Sequence, residues 1–175
     1  MIRLQSTKAG VLACLILWAG TAPAADLDIQ LTDSKWNGET IPKDQVCQKF
    51  DGHGATPPMR ISKIPPGTTS LQIAFNDESY QPMNSGGHGI LQFIIESGST
   101  SVDLPMVPGE TDDLPAGVTK VAGHRAPGWS GTGGAYLPPC SGGGGNTYTA
   151  TVSAISGTQA GAEVLASAKV GLGKF

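Results

Sequence analysis

The chain has 175 residues, with 11 basic and 14 acidic side chains and a formal net charge of −3. It contains no block of Lys or Arg, which argues against a nucleic-acid partner, and no polybasic or amphipathic helix that would predict stable membrane anchoring. Its 25 glycines and 13 prolines punctuate short segments throughout, as in an all-β chain with many turns.

The first 24 residues have the features of a signal peptide. Arg3 and Lys8 give a positively charged start, an apolar run covers residues 11–20, and residues 22–24 (Ala-Pro-Ala) offer the small side chains that a signal peptidase reads. The apolar run is too short to span a bilayer, which takes about 20 residues. We therefore predict cleavage after Ala24, one domain over 25–175, and a periplasmic or secreted location.

Removal of this segment leaves two cysteines, Cys47 and Cys140, because Cys14 lies within the apolar run. In an exported protein such a pair usually forms a disulfide, which we predict here. Two separate buried thiols are the alternative, and a redox pair is disfavoured because no C-x-x-C spacing is present. The same removal leaves 9 basic against 14 acidic residues, a net charge of −5.

Periodicity along the chain predicts mainly strands. They cover residues 27–31, 59–64, 70–75, 89–96 and 147–155, of which the first and last alternate apolar and polar side chains. The polar stretch 97–131 is expected to form a long loop or several turns, and a weak helix is indicated near 110–117, where Pro115 and Gly117 limit its length. The Ala-rich segment 158–171 predicts a C-terminal helix ending at Gly171. Together these elements predict an antiparallel β-sandwich with long loops at one end.

The three histidines, His53, His88 and His124, stand about 35 residues apart, so the sequence alone does not bring them together. The sequence contains no H-x-x-x-H or C-x-x-C spacing that would predict a metal site. It also contains no G-x-S-x-G motif that would predict a catalytic nucleophile and no phosphate-loop motif that would predict a nucleotide site. We therefore expect a protein that is not an enzyme and uses no metal or cofactor.

Asp77 and His88 indicate a candidate pocket. Asp77 follows a strong predicted strand and His88 precedes the next one, so both side chains can lie at strand ends beside one polar space. The carboxylate could orient the imidazole and stabilise its protonated form, which offers two N–H donors to an anion. The alternative is an aspartate that caps a turn and a histidine on the surface.

Five motifs in the same order resemble the phosphatidylethanolamine-binding protein family, and more narrowly its bacterial Raf-kinase-inhibitor-like branch. They are CQKFDGHGATPPMRIS, IPPGTTSLQIAFND, GGHGILQFII, GGAYLPPC and TYTATVSAI. The resemblance implies an antiparallel Greek-key β-sandwich with a short C-terminal helix. It also implies a small loop-lined pocket that binds phosphate-like anions and phospholipid head groups.

The resemblance also assigns pocket residues. Asp77 matches the second Asp of the family's D-D-P-D-A-P motif, and His88 matches the His before the following strand. His88 and the Tyr136 hydroxyl would donate to the anion, while Asp77 would fix the imidazole. The remaining matches are Pro139 and Cys140 in the family's Y-x-G-P-C-P-P segment, Pro57 and Pro58 in its S-P-P turn, and His53 in the DGHG motif that borders the pocket.

The chain departs from the family at Asn146. The family's H-R-Y reads here Asn146-Thr147-Tyr148, so an asparagine stands in place of the second pocket histidine. Asparagine keeps a hydrogen-bond donor but cannot carry charge, so a phosphate dianion loses a cationic partner. His124 or Arg125, in the nearby loop, could compensate for this loss of positive charge, and the sequence leaves their role open.

From these observations we predict non-catalytic binding of a small anionic or phosphorylated ligand, such as phosphate or a phospholipid head group. The alternative is a protein-interaction module that inhibits a protease or another enzyme. In that case the loop 97–131, with Trp129 exposed among glycines, would contact the protein partner.

Overall fold

The computed structural model describes residues 26–126, 128, 133–157 and 161–175. Within these ranges the regular elements are eight strands and three 3-10 turns. The strands are β1 (Asp28–Leu31), β2 (Met59–Ser62), β3 (Ser70–Asp77), β4 (Ile90–Ile94), β5 (Ser101–Leu104), β6 (Val118–Ala122), β7 (Thr147–Ser156) and β8 (Glu163–Lys174). The 3-10 turns are Lys43–Gln45, Gln48–Phe50 and Gln81–Met83.

The strands form two antiparallel sheets, one of three strands in the order β1-β2-β5 and one of five in the order β6-β4-β3-β7-β8. β3 lies at the centre of the larger sheet, between β4 and β7. One buried cluster joins side chains of both sheets, among them Met59 and Ile61 of β2 and Leu71 and Ile73 of β3. The predicted antiparallel all-β class is therefore confirmed, while the Greek-key connectivity stays a prediction.

The predicted C-terminal helix over 158–171 is wrong from residue 163 onward, because this segment forms the edge strand β8. Ala166, Ala168 and Val170 face the buried β7 residues across from them. Alanine favours helices in isolation, but pairing with a buried neighbouring strand outweighs that preference. The signal for a strand was the alternation of Ala166, Ala168, Val170 and Leu172, all on the core side.

The predicted long loop over 97–131 contains two short strands, β5 and β6, and the weak helix near 110–117 is absent. Both strands lie at sheet edges, and each buries a single side chain, Leu104 in β5 and Val118 in β6. An edge strand with one buried residue leaves no alternating pattern in the sequence. Residues 112–115 instead form an irregular connection between the two strands.

The predicted disulfide between Cys47 and Cys140 is present, with an S–S distance of 2.02 Å. Both cysteines are buried, and the Cys47 N–H donates to the Pro139 carbonyl at 3.0 Å beside the bond. The disulfide joins the 3-10 turn Gln48–Phe50 to the segment that precedes β7, although 93 residues separate the two cysteines.

The second glycine of the DGHG motif, Gly54, lies where the chain leaves no room for a side chain. A Cβ added to Gly54 would lie 2.4 Å from the Gln45 carbonyl oxygen and 2.7 Å from Cβ of Pro138. Only glycine allows the backbone to approach so closely. The DGHG segment after Cys47 and the segment before Cys140 therefore pack directly against one another, in addition to being joined by the disulfide.

Within the described residues, no helix combines the length and hydrophobicity needed to cross a membrane. The predicted signal peptide, residues 1–24, lies outside them.

Candidate functional site

A pocket of about 370 Å³ opens where β3 ends and β7 begins. This volume suits a small molecule, for which sites commonly measure roughly 300–1,000 Å³. The apolar part of the pocket wall consists of Phe50, Met83 and Leu137. The polar side chains that line the pocket are Lys49, Asp77, Ser79, Tyr80, His88, Ser141, Asn146 and Tyr148. The structure thus brings together three of the predicted residues, Asp77, His88 and Asn146.

Asp77 ends β3 and lies opposite Tyr148 of β7. One carboxylate oxygen accepts the N–H groups of Ser79 and Tyr80 at 2.9 and 3.2 Å, and the other accepts the Asn146 side-chain amide at 2.6 Å. The residue is only 3% exposed, and these three donors offset the cost of burying a carboxylate. Asp77 therefore fixes the turn after β3 and the Asn146 side chain.

His88 is oriented by a carbonyl, whereas the family resemblance implied that Asp77 would hold it. Its Nδ1 lies 2.8 Å from the Leu137 carbonyl oxygen. Because a carbonyl can only accept, Nδ1 carries the proton, and Nε2 of the neutral ring is an acceptor. Burial lowers the pKa of His88 to about 4, against smaller raising effects of the Leu137 carbonyl and the Asp77 charge. The free protein therefore holds a neutral His88 at pH 7.

This burial predicts a loss of stability in acid. The pKa of His88 is about 4 in the folded chain, against about 6.5 in an unfolded chain. Neutral His88 therefore makes its full contribution to the free energy of unfolding above about pH 6.5. As the pH falls towards 4, the free energy of unfolding decreases by roughly 3 kcal/mol, because the unfolded chain binds a proton that the folded chain does not. Urea unfolding at several pH values measures this change, and His88→Gln should lack that part of it. Identical pH profiles of the two proteins would contradict the prediction.

Tyr148 supplies the phenol of the pocket. Its ring meets His88 edge-on, with centroids 5.3 Å apart, and its hydroxyl accepts the Cys140 N–H at 3.2 Å. Burial raises the pKa of Tyr148, so the hydroxyl keeps its proton and can donate it to a ligand. Sequence reasoning missed this role, although the match of Asn146-Thr147-Tyr148 to the family's H-R-Y contained the signal.

Tyr136, the predicted phenol donor, lies in the core. It is 1% exposed, and its ring centroid is 4.6 Å from that of Phe75. With Pro139 it lines a separate inner cavity of only about 10 Å³, which holds one water molecule at most. This placement does not support a contact between a ligand and the hydroxyl of Tyr136, or between a ligand and Pro139.

Lys49 is the cation of the pocket, and sequence reasoning missed it as well. Its Nζ lies 5.6 Å from the ring centroid of Phe50. Both residues belong to the 3-10 turn that directly follows Cys47, so the disulfide holds them beside the 137–141 segment. The signal available in the sequence was the Lys two positions after a cysteine expected to border the pocket.

The two basic residues that were expected to compensate for Asn146 do not line the pocket. The Arg125 guanidinium donates to the carbonyls of Asn84 and Ser85, and so anchors the loop before His88. Nε2 of His124 is buried without a hydrogen-bond partner, and this histidine lies near enough to His88 to disfavour its protonation.

His53 is exposed and does not line the pocket, and its N–H donates to the Asp44 carbonyl at 3.1 Å. Pro57 and Pro58 also lie outside the lining. Among the described residues, no group of three His, Cys, Asp or Glu side chains could hold a metal ion. Trp129, on which the protein-interaction hypothesis depends, lies outside the described residues, so that hypothesis stays a prediction.

The fold is that of the phosphatidylethanolamine-binding proteins. The chain is similar to a crystal structure from Chlamydia trachomatis that is described as a candidate phosphatidylethanolamine-binding protein homolog, with 20% sequence identity and a TM-score of 0.50. The match covers 86% of this chain and 97% of that one. No protein-family model and no curated protein matches the chain. The predicted resemblance is thus confirmed at the level of the fold, while the bacterial branch stays a prediction.

Proposed function

We propose that the pocket binds a small anionic or phosphorylated ligand, such as phosphate or a phospholipid head group, without catalysing a reaction. We further propose that the chain is an exported Greek-key sandwich that works in the periplasm or outside the cell. The Cys47–Cys140 disulfide supports export, because such bonds persist in oxidising compartments.

One observation carries the binding proposal: Lys49, His88 and the Tyr148 hydroxyl converge on one pocket from three distant segments of the chain. Lys49 supplies positive charge, and the Tyr148 hydroxyl supplies a neutral donor. His88 can gain a second donor, because an anion bound beside it would favour the protonated ring. These groups suit an anion of a few heavy atoms.

Calorimetric titration of the mature chain, residues 25–175, with phosphate, phosphoethanolamine and a short-chain phospholipid tests the proposal. We expect at least one ligand to bind with a Kd below about 1 mM. Lys49→Met should weaken binding roughly threefold to tenfold, because an exposed charge contributes about 1 kcal/mol or slightly more. His88→Ala should weaken binding as well.

The matched control is Lys43→Met, which removes the same charge from an exposed position that does not line the pocket. Its affinity should equal that of the unmodified chain. The proposal fails if no ligand binds below about 1 mM, if His88→Ala leaves binding unchanged, or if the two lysine variants behave alike.

A further inference from the structure

Glu110 is a buried carboxylate that lies outside the pocket lining, in the connection between β5 and β6. It is 8% exposed, and its Oε2 accepts the N–H of Gln48 at 2.8 Å, from 62 positions away in the chain. Burial of a carboxylate is unfavourable unless donors compensate it, and a charged acceptor makes a strong hydrogen bond. Glu110 therefore ties the β5–β6 connection to the 3-10 turn Gln48–Phe50.

The backbone of Glu110 lies in the left-handed region, with a φ of +57°. Residues other than glycine, asparagine and aspartate rarely adopt this conformation, and a glycine would adopt it without strain. Such residues persist where the surrounding structure holds them, and they are concentrated at functional sites. A glutamate at this position therefore points to a role for its carboxylate that a glycine could not fill.

The segment that carries Glu110 is fixed by its own backbone bonds. The Glu110 N–H donates to the Tyr136 carbonyl at 2.7 Å, and the Gly109 N–H donates to the Gly54 carbonyl at 2.9 Å. A Cβ added to Gly109 would lie 2.8 Å from the same Gly54 oxygen, so the two segments are in close contact. The carboxylate therefore reaches Gln48 from a rigid base.

The turn that receives this bond has no side-chain cap of its own. The first N–H groups of a helical turn find no partner within the turn, and the residue before it usually supplies an acceptor. Here that residue is Cys47, whose sulfur is bonded to Cys140 and which caps no N–H group. Glu110 supplies the missing acceptor. The disulfide and the carboxylate thus act on the same turn, which carries Lys49 and Phe50 to the pocket.

We infer that Glu110 is a positioning residue of the pocket: through the Gln48 N–H it holds Lys49 and Phe50 where they face a ligand. This inference rests on the proposed function and adds a residue that itself touches no ligand. The disulfide fixes the turn at Cys47 only, so the bond from Glu110 to the next residue sets the direction in which the turn leaves the crosslink. Without that bond the Gln48 N–H loses its partner, and the turn moves away from the pocket.

Calorimetry at pH 7 with phosphate, phosphoethanolamine and a short-chain phospholipid tests the inference. Glu110→Met removes the acceptor at similar volume and should weaken binding roughly threefold to tenfold, because the Gln48 N–H is left unsatisfied. Glu110→Gln keeps a carbonyl oxygen at the same reach, and its affinity should stay within about twofold of that of the unmodified chain. Equal affinities of the Met variant and the unmodified chain overturn the inference.

A double-mutant cycle distinguishes positioning from a contribution to stability alone. Lys49→Met should weaken binding roughly threefold to tenfold in the unmodified chain. In the Glu110→Met background the same change should cost less than about twofold, because Lys49 is already displaced there. If Glu110 contributed only to stability, Lys49→Met would have the same effect in both backgrounds, and that result overturns the inference.

The matched control is Thr56→Val. Thr56 is 1% exposed, and its Oγ1 accepts the Val107 N–H at 2.9 Å, so the change also removes a buried acceptor from a backbone N–H. Thr56 does not line the pocket. Thermal unfolding should shift, whereas the affinity should stay within about twofold of that of the unmodified chain. A loss of affinity as large as that of Glu110→Met would contradict a specific role of Glu110.

Circular dichroism establishes that each variant is folded before it is titrated. If Glu110→Met does not fold, Glu110→Asp decides, because aspartate keeps the charge and tolerates a positive φ but is one methylene shorter. Hydrogen exchange followed by NMR should then show the Gln48 N–H exchanging at least about tenfold faster, together with weaker binding. Unchanged exchange and affinity overturn the inference and leave the proposed function standing. If the unmodified chain binds none of the three compounds, the proposed function falls and this inference with it.

Discussion

Replacement of both Cys47 and Cys140 by alanine is expected to lower the free energy of unfolding by about 4 kcal/mol. The disulfide joins cysteines 93 residues apart, and the chain-entropy relation assigns between 4 and 5 kcal/mol to a loop of about that size. The double replacement leaves no free thiol that could form an intermolecular bond. Urea unfolding without reductant measures the loss.

Reduction of the unmodified chain with dithiothreitol is the matched control and should cause a similar loss. The double variant should also bind its ligand more weakly, because the disulfide holds the turn with Lys49 against the 137–141 segment. A loss below about 1 kcal/mol would contradict the chain-entropy estimate, because the bond would then constrain the unfolded chain very little.

Gly89→Ala is expected to cost more than about 3 kcal/mol of unfolding free energy. Gly89 has a φ of +117°, which an L-residue rarely adopts, and a Cβ there would lie 2.1 Å from the Ala135 carbonyl oxygen. Because both obstacles involve backbone, no side-chain rotation relieves them. The substitution also disturbs the neighbouring His88, so ligand affinity should fall together with stability.

Gly117→Ala distinguishes the effect of a positive φ from the effect of the close contact with the Ala135 carbonyl. Gly117 also has a positive φ, +79°, but a Cβ there meets nothing within 4 Å. Its replacement should cost only about 1 kcal/mol, the usual penalty for an alanine in this region. Chemical denaturation of the two variants side by side measures the difference. Equal losses would show that the contact with Ala135 contributes nothing.

Much of the fold was predictable because its central strands carry strong local signals. β3 and β7 alternate or bury consecutive apolar residues, and both were predicted within two residues of their observed ends. β8 was not, because its alanines favour a helix until a partner strand is present. The edge strands β5 and β6 were missed because each buries a single side chain.

The site was predictable only in part. Asp77, His88 and Asn146 could be placed from their positions at strand ends and from the family resemblance. Motif matches pointed to both Tyr136 and Tyr148, and only the packing shows that Tyr148 lines the pocket while Tyr136 packs in the core against Phe75. The sequence suggested a protonated His88, whereas burial lowers its pKa and the ring is neutral in the free protein. The cost of burying the charge becomes evident only when the neighbours of His88 are known.

The disulfide also bears on the order in which the chain folds. The central β3–β7 ladder pairs Asp77 with Tyr148, 71 positions apart, and such distant pairings form slowly. Once Cys47 and Cys140 are joined, the path between the paired residues runs through the crosslink and shortens to about 39 steps. Halving a loop lowers its closure cost by about 0.6 kcal/mol, which is close to a threefold gain in rate. A chain that is oxidised early therefore reaches its central ladder sooner than one that is oxidised after collapse.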